Sequence, residues 1–258
     1  MDEQDGKHLA EILSVLGQAG EWEARIARPV VPDPAPRSSL CGDDRKAHPF
    51  EVSHVSWHFL SHAVDHLACL RALIGKAGFV PMYAPFTIVR GALENACAAV
   101  WLLQPEKRDE RLERRLRLAS DDIRNGEQVK ELTGRTGPRS EHERADQVRD
   151  IARRAGLDEK KAIARVSYHE IVKFVEENGP ANGAVVAAWK LCSGYAHGDM
   201  WTTFAASRRI EVASTANPAI GAFKIEANLG LLSNVTHLAV SLTSLGWQLY
   251  DQRCQAPS

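Results

Sequence analysis

Two neighbouring stretches decide the fold: EVSHVSWHFLSHAVDHLACL (residues 51–70) and APFTIVRGALENACAAVWLLQ (residues 84–104). In the first, Phe59, Leu60, Ala63, Val64, Leu67 and Leu70 recur at helical spacing on one side, the pattern of an amphipathic helix. It ends at Gly78; Pro81 and Pro85 then mark the start of the second helix and Pro105 its end. Helices joined by so short a connection pack as antiparallel neighbours. No alternation of strands and helices follows, which disfavours a doubly wound sheet. The expected fold is all-α, a helical bundle of six to eight helices with one small β-hairpin near residues 208–226.

Working outward, a first helix is expected from Lys7 to Arg25 with Asp5 as its cap, then RPVVPDPAPRSSLCGDD (residues 28–44) as an extended linker. The string EKRDERLERRLRLASDDIRNGEQVKEL (residues 106–132) mixes both charge signs and reads as a long exposed helix laced by pairs such as Glu110–Arg114. Gly134, Gly137 and Pro138 break it, and a second charged helix follows to Ala155. Asp158 caps a short helix, Ser167 and Glu170 form a capping box for the next, and Gly179-Pro180 closes that one. A compact helix runs from Ala184 to Gly194. RRIEV (208–212) and AFKIE (222–226) pair as the hairpin. The domain organisation is therefore an N-terminal helix (1–27), a Pro-rich linker (28–48), and a single bundle domain (49–258) carrying a charged helical insertion at about 106–165.

With 32 Lys+Arg against 33 Asp+Glu, the chain exerts no global pull on nucleic acid or anionic membrane. Five cysteines form no C-x-x-C pair, and the acidic N-terminus lacks the apolar core of a signal peptide, so a reduced, cytoplasmic location is expected. Residues 227–250 carry no Asp, Glu, Lys or Arg. Polar residues interrupt them, however, and Leu231, Val235, Leu238, Leu242, Leu245 and Leu249 form a seam of the kind used in bundle or subunit contacts. We read this as no membrane span, with homo-oligomerisation through the 229–250 helix.

Candidate chemistry starts with a ladder: His54, His58, His62 and His66 recur every fourth residue, sweeping about 120° of one helix face. No Lys, Arg or Glu stands between Val52 and Leu70. Two imidazoles four apart can chelate a transition metal such as zinc or iron. The candidate ligands are His58, His62, His66 and Glu94; packing within a helix contact is the plainer explanation. Arg90 and Glu94 are the only charges on the 84–104 helix, so they pair with each other or a buried group. Functionally, Glu94 is a base or ligand and Arg90 an anion clamp.

The string WKLCSGYAHGDMW (189–201) sets Ser193, Tyr195, His197 and Asp199 at and beyond a helix end. His197 there either complements the negative helix terminus or acts as a catalytic group with Arg90 and Glu94. With Arg and Glu on one helix and a late Ser-x-x-x-His-Gly, the chain resembles all-helical proteins of actinobacteria and, more distantly, HEPN-type helical domains over roughly residues 50–200. That resemblance implies a helical fold and, for many such domains, ribonuclease or toxin activity in defence systems. The family's Arg and His positions fall on Lys190 and His197, so Lys replaces Arg, and Leu191 stands where a polar residue is usual.

Three functions follow. The leading one is a non-catalytic binding or regulatory module with a protein or small-molecule partner. The alternative is a metal-binding bundle with hydrolytic or redox chemistry. The second alternative is an RNA-acting HEPN-like protein, with His197 as acid/base and the arginine-rich helix at 108–124 holding phosphates. Nucleic acid is the less favoured partner, because that helix also carries Asp109, Glu110, Glu113, Asp121 and Asp122 and its charge is mixed.

Overall fold

A computed structural model describes residues 3–28, 30–179, 183–212 and 222–256. It is an all-α bundle with one small antiparallel hairpin. In chain order the elements are α1 (Glu3–Leu16), α2 (Ala19–Ile26), α3 (Ser39–Ala47), α4 (Val52–Arg71), α5 (Ala84–Leu103), α6 (Arg108–Thr133), α7 (Glu141–Arg154), α8 (Glu159–Ala162), α9 (Tyr168–Asn178), α10 (Val185–His197), β1 (Arg208–Val212), β2 (Ala222–Glu226) and α11 (Leu229–Cys254). Single π-helical turns extend α4 (Ala72–Lys76) and precede the hairpin (Thr202–Ala206). Arg208 pairs with Glu226 and Val212 with Ala222, the expected strands in full; the connection at 213–221 lies outside the described residues, as does Pro180.

Helix α5 is the hub. From Ala96 to Leu103 every side chain is buried, because α4, α11, α10 and α9 enclose it. A helix apolar all round is stable only at such a position. α5 and α11 are both long and apolar enough to cross a membrane by length and composition, and most of each apolar stretch is buried in the bundle.

Three N-terminal expectations need correction. The first helix is two, because the chain turns at Gly17–Gln18; both pack into the main core through Ile12, Leu16 and Ala19. Asp5 lies within α1 and pairs with Arg208 rather than capping. The extended linker ends early: Ser38 accepts a hydrogen bond from the Cys41 backbone N–H and starts α3. The Pro-rich letters hid a nine-residue helix because its burial depends on one acid. Asp43, fully buried, receives Arg111 through Nε (2.6 Å to Oδ2) and Nη2 (3.0 Å to Oδ1). Arg111 also donates to Ser39 Oγ and to the carbonyls of Pro105 and Glu106. All five guanidinium donors are engaged, which is what permits burial of this charge.

The charged helices form, with Gly134 left-handed at the end of α6 and Asp158 capping α8, but α6 is not the exposed helix expected: it buries Leu112, Leu116 and Ile123 with Arg111 and Arg115, and Arg114 donates to the Trp101 carbonyl instead of pairing with Glu110. The insertion has its own small core of Leu116, Ile123, Val148 and Ile151. Ser167 caps α9 through the Glu170 N–H, while the full reciprocal capping box is Ser140–Glu143 on α7.

The α11 seam makes a bundle contact, all six residues lying in the core or against it, but it is not the most buried face of the helix. Of the six seam residues only Val235 and Leu242 are buried; Leu231, Leu238, Leu245 and Leu249 flank the core half-buried. The buried face includes Thr236 and Thr243, whose hydroxyls donate to the carbonyls of Leu232 and Ala239. Threonines satisfied by their own helix pack as apolar residues, which hydropathy spacing does not register.

Replacing Asp43 with alanine leaves the Arg111 charge buried without its carboxylate, so we expect a loss of about 3–5 kcal/mol in urea unfolding. An unchanged midpoint would show that the pair does not hold α3 and α6 together.

Candidate functional site

Helices α4 and α5 run antiparallel: His66 meets Gly91 near their connection, and Phe59 shares a cleft with Ala98 seven residues further along each. A Cβ at Gly91 would lie 2.4 Å from His66 Nε2, so glycine is what lets the imidazole rest on the α5 backbone. One residue before, Arg90 donates from Nε to Glu94 Oε1 at 3.0 Å. The Trp189 indole N–H on α10 donates to the same oxygen at 2.8 Å.

α10 then ends in a Schellman turn, with the Asp199 N–H on the Gly194 carbonyl and the Gly198 N–H on the Tyr195 carbonyl. Gly198 takes the left-handed conformation this requires (φ 73°). His197 is thereby the last helical residue, at the negative end of the dipole. Its Nε2 lies 3.5 Å from Arg90 Nη1 and accepts from it in the Nδ1–H tautomer. The three candidate catalytic residues, Arg90, Glu94 and His197, therefore meet at one place. Arg90 and Glu94 are largely covered, with side chains 25% and 16% exposed, while His197 is exposed.

Arg90 is incompletely engaged. Nε serves Glu94 and one Nη1 proton serves His197, while Nη2 has no acceptor among the described residues. The α6 arginines are turned toward groups of the fold, although Arg115 Nη1 and Arg124 Nε are buried without a partner among the described residues. Arg108 and Arg111 hold Asp43, Arg114 reaches the Trp101 carbonyl and lies 4.1 Å from the Phe174 ring centre, and Arg115 donates to the Glu51 carbonyl. Arg117 grips Glu170 through both nitrogens and Arg124 pairs with Asp121. The expected phosphate-holding helix directs these charges inward.

The ladder divides. His54, His58 and His62 are exposed, and only His66 is half-buried. His54 sits 3.7 Å from Glu51. The His58 and His62 rings are 4.1 Å apart, with Asp122 of α6 in electrostatic reach of His58 and Glu94 in reach of His66. Among the described residues no group of three or more His, Cys, Asp or Glu could hold a metal ion. His58, His62, His66 and Glu94 do not converge, because a drift of about 40° per step turns His66 inward and its predecessors outward. Burial lowers the pKa values of His58 and His66. Burial likewise raises the Cys192 thiol, to about 12, leaving it protonated beside Arg90 and Glu94.

Sequence reasoning missed three participants. Trp189 was visible at the head of WKLCSGYAHGDMW without a partner. Tyr168 follows a helix cap, and its hydroxyl pKa is raised by burial and then by Glu94 and Asp122. Asp122 looked like one charge among many. From the motif itself, Tyr195 is structural: it stacks on Phe86 at 4.2 Å and pairs with Ser207.

His66 has a lowered folded-state pKa, so its contribution to stability is complete above the unfolded value near 6.5 and is lost as pH falls through the folded one. The drop in urea midpoint between pH 7.5 and pH 5 is expected to be smaller in His66→Gln than in the parent. In Gly91→Ala, the His66 NMR titration is expected to move back toward the ordinary value as the ring is pushed off the backbone; an unmoved titration would contradict the close packing. No protein-family model matches this chain, and neither does any curated protein or solved structure.

Proposed function

We propose that this chain is a binding module for an anionic small molecule, whose phosphoryl or carboxylate group is received by Arg90 and His197. The observation that carries the reading is the guanidinium of Arg90: Glu94 and, behind it, Trp189 fix its orientation, while Nη2 has no acceptor among the described residues and lies beside an exposed imidazole. An arginine oriented in advance loses little freedom on binding, and its planar fork suits a two-oxygen acceptor. With His197 protonated, the Arg–Glu–His group carries net positive charge.

A second reading has one observation in its favour. His197 beside Arg90 places an acid/base group next to a cation that could stabilise a phosphorane, as an RNA-acting HEPN-like protein requires. The inward-committed arginines of α6 weigh against it. The metal-binding reading ranks behind both, since its ligands are spread along α4.

Titration calorimetry with ribose 5-phosphate tests the module. Arg90→Gln is expected to weaken binding by about tenfold or more, the worth of a charge-assisted hydrogen bond. Arg154→Gln, on the distant α7, should leave it unchanged. Equal affinities in parent and Arg90→Gln would remove the proposal. RNA cleavage abolished by His197→Ala would move the assignment to the catalytic reading.

A further inference from the structure

A cleft that shares no residue with the Arg90 site lies between the α3–α4 turn and the α6–α7 connection. Its volume is about 450 Å³, within the roughly 300–1,000 Å³ typical of small-molecule sites. Pro49 and Phe50 form one wall, and Pro138 contributes to the other. Phe50 is anchored by packing against the small core of the insertion, with the Arg115 guanidinium 5.6 Å from its ring centre. The polar lining is Lys130, Arg139, Arg144 and Gln147, so three cations and no carboxylate border the cleft.

Local structure fixes where these charges stand. Lys130, in the last turn of α6, pairs with Glu127 at 2.9 Å. A Cβ at Gly137 would lie 2.8 Å from its Nζ, so glycine lets the ammonium lie across the loop. The Ser140–Glu143 capping box then starts α7, and Arg139 just before it donates to the Gln147 side-chain oxygen at 3.1 Å. Arg144 has no such commitment. It stands one turn into α7, near the end where the helix dipole disfavours a cation. Its half-buried guanidinium makes no hydrogen bond or ion pair among the described residues, and none of its nitrogens is sealed. Asp122 is in electrostatic reach of Arg144, and Glu143 of Arg139, but neither acid lines the cleft.

An arginine without an acceptor, in a cleft walled by two prolines and a phenylalanine, fits an anion that carries an apolar ring. Walls of one charge sign concentrate counter-ions, and the planar guanidinium takes two phosphoryl oxygens at once. A ring laid over Phe50 and the prolines would exclude water and strengthen those bonds. We propose that this cleft binds an aryl phosphate, its phosphoryl oxygens on Arg144 with Lys130 and Arg139 at the flanks, and its ring against Pro49, Phe50 and Pro138. The site is separate from the one at Arg90 and stands whether or not that one binds an anion.

Calorimetry on the full chain carrying Arg90→Gln keeps the two anion sites apart. Phenyl phosphate is expected to bind about tenfold or more tightly than inorganic phosphate or phenol, because ring and charge must both be present. Adding Arg144→Gln should bring phenyl phosphate down to the level of phenol. That substitution removes no bond among the described residues, so its urea midpoint should match that of the parent. Phe50→Leu, which keeps an apolar group against the insertion, should weaken phenyl phosphate and leave inorganic phosphate unchanged. Equal affinities for phenyl phosphate and inorganic phosphate would overturn the aromatic site, and so would phenyl phosphate binding that survives Arg144→Gln. Loss of phenyl phosphate binding with Arg90→Gln alone would place the ligand at Arg90 and overturn the second site.

Discussion

A helix enclosed by four neighbours can carry charge only where the enclosure opens, and α5 obeys this at Arg90 and Glu94. Everything around those two residues follows from that constraint. From Ala96 onward the helix is sealed, so the polar groups must gather on its N-terminal half. There His66 needs Gly91 to approach, and Trp189 supplies the second donor that keeps the Glu94 carboxylate satisfied. α10 must stop beside Arg90 for His197 to reach it, and the Schellman turn at Gly198 sets that length. The candidate site is thus a by-product of packing rules applied to one apolar helix with two charges.

At the opposite end of α5 the same problem is solved differently. The chain leaves the helix at Leu103–Pro105, where unpaired carbonyls would be costly in a buried setting. Arg253 of α11 donates to the carbonyls of Leu103, Gln104 and Pro105, and Arg111 takes Pro105 and Glu106. Asp43 of α3 then neutralises Arg111. The following helix and two helices distant in sequence are tied to one helix terminus, whose carbonyls are taken by guanidinium groups.

The sequence made legible what depends on local spacing. The α4–α5 pair, the charged insertion, both hairpin strands and the caps of α8 and α9 could be read because each is written within a dozen residues. The Arg90–Glu94 pair stood out for the same reason, as did the histidine ladder. What could not be read were choices made by distant partners. Nothing near Asp43 announces that Arg111 will meet it, so α3 looked like linker. Nothing in α11 says that Thr236 and Thr243 will satisfy themselves and turn inward, so the apolar seam marks only part of the buried face. His197 and Arg90 are 107 residues apart, and their meeting is a property of the bundle alone.

Access rather than donor count separates Arg90 from the structural arginines: Arg115 on α6 also keeps an Nη1 without a partner among the described residues, but that atom is buried. Arg111 engages five of five donors. Arg117 holds Glu170 through two nitrogens and two loop carbonyls besides. Arg25 forms a two-point pair with Asp251 and lies 4.0 Å from the Trp247 ring centre, with Trp57 and Tyr250 completing an aromatic enclosure. In each case the cation is committed to groups of the fold. Among the described residues Nη2 of Arg90 has no acceptor, and its partner His197 stands open to solvent. Nη2 of Arg90 is not among the sealed donors, so it is open to a further acceptor. Water can supply that acceptor, but an anion supplies it with charge, and the orientation fixed by Glu94 is already the one an anion would select.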